Sequence, residues 1–149
     1  MIRLTQGHNY AIVQIGQQKS FRMMFDTSTS FWWVQSDTVL LSHKVGGTRY
    51  EKHTQTRVFR ETFEQTLEHR QTIMTGNIVE DNFIIGEAKC KGLPFVEVIG
   101  TSEPMSMDNV YDGVIGMGNP SGSSFPSLVN LMLKYGRIES GVFTFRFCG

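Results

Sequence analysis

The sequence predicts an all-β domain with one short helix, and two observations support this prediction. Short segments in which apolar and polar side chains alternate, or in which apolar side chains follow one another, recur along the chain, and they are typical of strands with a buried face. Helical spacing of apolar residues occurs only in 126–135. The 149 residues, 40% of them apolar, suffice for one domain with a sizeable core.

The first part of the chain predicts three strands. Residues 10–15 and 20–25 are joined by a glycine-containing turn and predict a hairpin, and 32–35 continue as a third strand. Neighbouring side chains on a strand point to opposite faces. One of the two tryptophans, Trp32 or Trp33, is therefore expected in the core, while the other either lines a pocket or is buried as well.

The middle of the chain predicts a surface excursion followed by a second hairpin. Residues 36–65 are mostly polar and are expected to form only weak strands. Segments 66–74 and 77–85 flank Thr75-Gly76, which we interpret as the turn of a long hairpin whose far end is closed by Gly86.

The last part of the chain predicts further strands and the helix. Residues 93–98 and 111–115 are strand candidates. The helix predicted for 126–135 ends at Gly136, a residue type that commonly terminates helices. Strict alternation over 142–147 predicts a closing strand.

Composition excludes several classes of function. Fourteen Lys and Arg balance 14 Asp and Glu, and the basic residues are scattered, so neither nucleic acid nor an anionic membrane is expected as a partner. No apolar run of about 18 residues suggests a membrane span, and the first residues lack the apolar core of a secretory signal. The histidines show no ligand spacing, so we expect no metal and no other cofactor.

The two cysteines, Cys90 and Cys148, leave two alternatives open. They form either a single disulfide or two free, buried thiols.

The most informative segment runs from Phe25 to Ser30, with the sequence Phe-Asp-Thr-Ser-Thr-Ser. It places the carboxylate of Asp26 and several hydroxyls between two strand-like apolar segments. Neighbouring hydroxyls and turn N–H groups can solvate such a carboxylate and hold it at the mouth of a cleft.

Three ordered segments resemble the first lobe of the pepsin-like aspartic proteases. The segment 15–34 contains Ile-Gly and then Phe-Asp-Thr-Ser-Thr-Ser before Trp-Trp-Val. The segment 112–118, Asp-Gly-Val-Ile-Gly-Met-Gly, and the segment 126–145 follow in the family order. The resemblance implies that residues 1–149 form a single pepsin-like N-terminal lobe of all-β fold, with the second lobe absent.

The same resemblance implies roles for individual residues. Asp26 matches the catalytic carboxylate, Thr27 the threonine that reaches the other lobe, and Thr29 the serine that hydrogen-bonds the carboxylate. Gly116 matches the glycine that packs beneath the active-site turn, and Trp33 the tryptophan whose indole contacts the flap. We therefore expect Asp26 and Gly116 to lie close together at one edge of a β-sandwich-like lobe.

The chain also departs from the family pattern at two places. Ser28 stands where the family has glycine, and its hydroxyl is expected to project toward the facing active-site turn or the substrate. In the flap, the hairpin that covers the substrate, the usual Tyr-Gly-Thr-Gly-Ser is replaced and both glycines are lost. The flap residues expected here are His69, Arg70, Gln71 and Thr72, with His69 in place of the tyrosine.

These residues lead to a functional hypothesis with open alternatives. Peptide hydrolysis by this chemistry needs two carboxylates, one protonated and one ionised, and a single lobe supplies one. We expect an aspartic-type endopeptidase lobe in which Asp26 and a second Asp, from another lobe or an identical subunit, activate water. The alternatives are an inactive lobe that binds peptides or proteins and a truncated fragment of a two-lobed protease.

The expected partners are a peptide or protein substrate and a second lobe or second copy of the chain. Family resemblance favours a secreted or lysosome-like location, whereas this chain shows no signal peptide, so the sequence leaves the compartment unassigned.

Overall fold

The computed structural model describes residues 10–17, 20–39, 47–67, 72–102, 111–119 and 125–144. Within these ranges the chain forms strands and one helix, as the sequence predicts. In chain order they are β1 Tyr10–Ile15, β2 Ser20–Asp26, β3 Trp33–Gln35, β4 Val58–Leu67, β5 Thr72–Ile85, β6 Ala88–Thr101, β7 Gly113–Gly116 and the helix α1 Leu128–Lys134.

The described strands form one mixed sheet in the order β1-β2-β7-β3-β6-β5-β4. Strand β1 also pairs with β5, where Val13 lies opposite Ile85, so six strands close into a ring and β4 lies outside it. The all-β class is therefore confirmed. The expected sandwich is replaced by a single sheet that curves back on itself because β1 binds both β2 and β5.

The first hairpin matches its prediction. Strands β1 and β2 are antiparallel, with Tyr10 opposite Met24. Alternation along β1 buries every second side chain and leaves Ile12 exposed. Gly16 begins the connection with φ of +63°, a conformation that glycine adopts without steric cost.

The second hairpin is present, but its turn is not at Thr75-Gly76. Both residues lie inside β5, and Leu67 of β4 pairs with Thr72 at the end of the hairpin. A Cβ at Gly76 would lie 2.3 Å from the carbonyl oxygen of Glu97 in β6, so this glycine allows a close approach of two strands. The connecting residues 68–71 lie outside the described residues.

Strand lengths also differ from the prediction. Strand β4 has ten residues and begins within the polar stretch predicted as a surface excursion. Strand β6 has 14 residues, whereas only 93–98 were predicted as a strand. Both strands pair with the long strand β5, which supplies main-chain partners along its whole length. Gly86, with φ of +56°, closes the turn between β5 and β6 as predicted.

The predicted helix is confirmed, with slightly narrower bounds. The Ser127 side chain caps it by accepting a hydrogen bond from the Asn130 N–H, and Gly136, with φ of +64°, follows its last turn. The closing strand predicted for 142–147 is not formed over 142–144, and the remaining residues of that segment lie outside the described ranges.

The core is built around aromatic rings. The ring centroid of Trp32 lies 4.8 Å from that of Phe83 and 5.0 Å from that of Phe95. Trp33 is also buried, so the alternative in which both tryptophans lie in the core is the correct one. No helix among the described residues is long and apolar enough to cross a membrane.

Cys90 is buried with a free thiol, and burial raises the pKa of that thiol. Cys148 lies outside the described residues.

Candidate functional site

Asp26 is the last residue of β2, and pairing with β7 fixes its backbone. The two strands are parallel, and Asp26 lies opposite Gly116 in their register. The Met117 N–H donates to the Asp26 carbonyl oxygen at 2.7 Å, which extends the pairing by one residue. The predicted proximity of Asp26 and Gly116 is confirmed.

The end of β7 and the residues that follow it pack against the turn after Asp26. A Cβ at Gly116 would lie 2.2 Å from the Phe31 carbonyl oxygen, and one at Gly118 would lie 2.8 Å from that of Thr29. The Gly118 N–H donates to the same Thr29 oxygen at 2.7 Å. Glycine at these positions therefore lets one backbone segment support the other without a gap.

Ser28 holds the Asp26 carboxylate. Its backbone N–H donates to Oδ1 at 2.7 Å, and its hydroxyl donates to the same oxygen at 2.6 Å. Ser28 is exposed, and its hydroxyl turns back to Asp26. Whether Ser28 also faces a second active-site turn or a substrate, as the sequence predicts, stays a prediction. No described residue donates a hydrogen bond to Oδ2 of Asp26.

Thr29 does not make the hydrogen bond expected of it. Its Oγ1 is buried without a hydrogen-bond partner among the described residues, and Ser28 donates to the carboxylate in its place. Thr27 is exposed, and its reach to a second lobe stays a prediction.

A second carboxylate, Asp112, lies just before β7, and both of its oxygens accept hydrogen bonds. Arg22 in β2 donates to it from Nε at 3.1 Å, from a terminal nitrogen at 2.9 Å and from the backbone N–H at 2.7 Å. The Thr48 N–H adds another bond at 2.8 Å. The hydrogen bond to Asp112 raises the pKa of Arg22. The pair fastens β2 to the loop before β7.

Glu97 in β6 is buried, and both of its carboxylate oxygens also have partners. Ser36 donates to Oε1 at 2.8 Å, and Arg57 forms an ion pair with Oε2. The ion pair compensates the cost of removing the carboxylate from water.

Asp81 in β5 is buried and is held by hydroxyl groups. Tyr50 donates to Oδ2 at 2.6 Å and Thr54 donates to the same oxygen at 3.0 Å. Oδ1 accepts from the Thr56 hydroxyl and from the Asn82 N–H. Burial, and then the hydrogen bond to Asp81, raise the pKa of Tyr50 above its ordinary value.

Asp26 differs from the three buried carboxylates in how its oxygens are hydrogen-bonded. Every oxygen of Asp81, Glu97 and Asp112 accepts at least one hydrogen bond. Asp26 is only half-buried and keeps one oxygen to which no described residue donates. Sequence reasoning singled out Asp26 but missed the structural carboxylates, since their donors are distant in the sequence.

The hairpin of β4 and β5 reaches the turn after Asp26 through aromatic contact. The ring of Phe63 in β4 lies 5.1 Å from that of Phe31, which follows the turn. Thr72 is buried at the start of β5, whereas His69, Arg70 and Gln71 lie outside the described residues. Trp33, in β3, pairs with Val114 of β7 next to the same turn.

Within the described ranges, no group of three or more His, Cys, Asp or Glu side chains is arranged to hold a metal ion.

Comparison with known proteins places this arrangement in context. Residues 9–148 match the family model described as eukaryotic aspartyl protease. The chain is 30% identical over 131 residues to pregnancy-associated glycoprotein 6 of Ovis aries, with 85% of this chain and 33% of that protein aligned. It is 24% identical over 134 residues to cathepsin D of Clupea harengus, with 84% and 33% aligned. The chain therefore spans about a third of the length of these curated relatives.

Proposed function

This chain belongs to the eukaryotic aspartyl protease family, and we propose that it is a lobe of an aspartic-type endopeptidase with Asp26 as its catalytic carboxylate. The observation that supports this role best is the open Oδ2 of Asp26, in a domain whose buried carboxylates have donors at both oxygens. An oxygen without a donor can accept a proton from water or share one with another carboxylate.

The proposed reaction needs a second carboxylate opposite Asp26. Two carboxylates at close range cannot both ionise, so one stays protonated. The ionised group takes a proton from water while the water oxygen attacks the peptide carbonyl carbon, and the protonated group gives its proton to the carbonyl oxygen. Proton transfer to the amide nitrogen then accompanies cleavage of the C–N bond.

We propose that the second Asp comes from another lobe or from an identical subunit. Among the other aspartates, Asp81 and Asp112 are committed to structural hydrogen bonds. Asp37 is followed by Thr38 and then by Val39 instead of a small residue, and Asp108 is followed by Asn109, so neither matches the Asp26 turn. A two-fold axis through the site of an identical pair would bring Asp26 opposite its own copy.

The proposed substrate is an extended peptide, covered by the connection between β4 and β5. His69, Arg70, Gln71 and Thr72 supply this cover in the proposal, and Thr27 reaches the second lobe. The contact of Phe63 with Phe31 supports it, because it joins the hairpin to the turn that carries the carboxylate. Closure of such a hairpin excludes water from the reacting groups.

The direct test is hydrolysis of an unfolded protein substrate at acid pH by the purified chain, alone and with added protein that carries a second Asp-Thr turn. We expect cleavage only in an assembly that supplies two carboxylates, and none after Asp26→Asn. Cleavage by a strict monomer, or cleavage that survives Asp26→Asn, would contradict the proposed mechanism.

The second candidate function is peptide binding without hydrolysis, and the Thr29 hydroxyl, which does not reach Asp26, favours it. In that case immobilised peptides bind the wild type and the Asp26→Asn protein equally, and no assembly cleaves them. Cleavage in any assembly that depends on Asp26 would exclude this candidate.

A further inference from the structure

We propose that Ser28 is the positioning residue of the Asp26 carboxylate and that its hydroxyl has taken over the task that Thr29 has by family resemblance. The inference rests on the proposed function only for its catalytic consequence. The contact on which it depends is a property of the folded chain.

Ser28 offers two donors to the Asp26 carboxylate. The Ser28 N–H and hydroxyl reach the same carboxylate oxygen at 2.7 Å and 2.6 Å. Hydrogen bonds to an ionised acceptor are roughly twice as strong as neutral ones. Two such bonds from one residue, two positions along the chain from Asp26, fix the direction of the carboxylate relative to the turn.

Thr29, the neighbouring hydroxyl, does not bond the carboxylate. The Thr29 hydroxyl is buried without a hydrogen-bond partner among the described residues, although its backbone is held by the Gly118 N–H at 2.7 Å. The Thr29 hydroxyl makes no hydrogen bond to Asp26. The hydroxyl donor to the carboxylate is therefore Ser28.

The two donors leave the other oxygen of the carboxylate open. With both donors on Oδ1, the carboxylate presents Oδ2 as the oxygen for water or for the second carboxylate. A partial rotation of the carboxylate would break both bonds to Ser28. Ser28 therefore sets the orientation of the carboxylate and leaves the position of Oδ2 open for the reaction.

The test measures the side-chain rotamer of Asp26 by NMR, from three-bond couplings between backbone ¹⁵N or ¹³C′ and ¹³Cγ, at a pH where Asp26 is ionised. The wild type and Ser28→Thr are expected to show one χ1 rotamer, and Ser28→Ala an average over several. Thr29→Val is the matched control, since it removes the neighbouring hydroxyl, and it is expected to keep a single rotamer. A single rotamer in Ser28→Ala, or averaging in Thr29→Val alone, would overturn the proposal.

Kinetics provide the second readout. In an assembly that cleaves peptide, Ser28→Ala should lower kcat by about 10- to 100-fold with KM nearly unchanged, because small misplacement of a catalytic group costs rate more than binding. Ser28→Thr should recover most of this loss. An equal fall of kcat in both variants would contradict positioning by the hydroxyl.

The two readouts separate this proposal from the proposed function. If the wild type cleaves nothing in any assembly while Ser28→Ala still loses its single rotamer, positioning by Ser28 stands and the endopeptidase proposal fails. If the wild type cleaves peptide and Ser28→Ala keeps both its rotamer and its kcat, the endopeptidase proposal stands and the role of Ser28 fails.

Discussion

At the scale of single residues, the carboxylates of this domain differ in how many of their oxygens accept hydrogen bonds. Asp112 and Glu97 are neutralised by arginines. Asp81 relies on hydroxyl and N–H donors among the described residues. Asp26 has donors on one side only. A buried charge is stable when every oxygen is bonded, as in those three carboxylates, whereas the half-buried Asp26 keeps one oxygen without a donor among the described residues.

Tyr50→Phe is expected to destabilise the domain. The change removes the 2.6 Å bond to Asp81 and leaves Oδ2 with the weaker donor Thr54. Loss of one partner of a buried carboxylate costs about 1–3 kcal/mol in free energy of unfolding. Urea denaturation measures the effect, and the exposed Tyr135→Phe is the matched control. Equal stability of the two variants would show that the Tyr50 bond contributes little.

The same tyrosine predicts a pH dependence. The pKa of Tyr50 is raised in the folded state by burial and by Asp81, so its contribution to stability is complete below the unfolded value of about 10. Above that pH the unfolded tyrosine ionises first, and stability falls by up to about 1.4 kcal/mol per pH unit. Denaturation curves should therefore show a steeper loss at alkaline pH for the wild type than for Tyr50→Phe. Parallel losses would contradict a raised pKa.

Thr29→Val is expected to leave stability unchanged or to raise it. The threonine hydroxyl is buried without a partner among the described residues, and a valine methyl of the same shape removes an unsatisfied polar group. Urea denaturation should show no loss beyond about 0.5 kcal/mol, the usual scatter for a substitution that breaks no specific interaction. A larger loss would reveal a hydrogen bond that Thr29 makes in solution.

At the scale of elements, two glycines allow close approach of neighbouring strands, and the sequence predicted the role of one of them correctly and that of the other wrongly. Gly116 and Gly76 both allow one strand to pass near another. The family resemblance identified the first, because it follows a recognisable apolar pair. Local pattern alone suggested a turn at the second, since a glycine for strand contact and a glycine for a turn look alike in one sequence.

Strands β4 and β6 show a second limit of sequence pattern. The central part of β6 was predicted, whereas β4 lies mostly in the stretch expected to form only weak strands. The lengths of both depend on β5, a partner that supplies hydrogen bonds over 14 residues. Main-chain pairing tolerates polar side chains at an outer strand, so the polar composition of β4 did not prevent strand formation. Alternation and turn residues predicted β1, β2 and the helix well because those elements depend on local signals.

Gly116→Ala is expected to disturb the junction of β7 with the turn after Asp26. Its Cβ would lie 2.2 Å from the Phe31 carbonyl oxygen, a contact that requires backbone movement. Overpacking of this kind costs about 1–3 kcal/mol or more. Gly141→Ala is the control, because its nearest neighbour is a Leu133 methyl at 3.7 Å. Thermal denaturation that lowers the Tm of both variants equally would contradict this account of the junction.

At the scale of the whole molecule, the fold holds the turn after Asp26 in place, but the described residues bring only one carboxylate to the proposed site. Closure of the sheet by β1 and β5, together with the Arg22–Asp112 ion pair, fixes β2 on both sides. The Asp26 carboxylate is thus carried on a strand held on both sides, which would suit the proposed catalytic role. Whether a second carboxylate lies opposite Asp26 depends on the protein or lobe with which the chain assembles.

A mixing experiment distinguishes the two proposed sources of the second Asp. If the active species is a dimer with one Asp26 from each copy, equal amounts of wild type and Asp26→Asn form mixed dimers with one aspartate, which are inactive. Random pairing leaves about a quarter of the dimers with two aspartates, so activity at constant total protein falls to about a quarter of the wild-type value. If the second Asp comes from a different lobe, the variant only dilutes the enzyme, and activity falls to about half. In the dimer case, activity falls to a quarter only as fast as subunits exchange between dimers, so slow exchange gives a slow decline after mixing. Simple dilution of the enzyme lowers activity immediately.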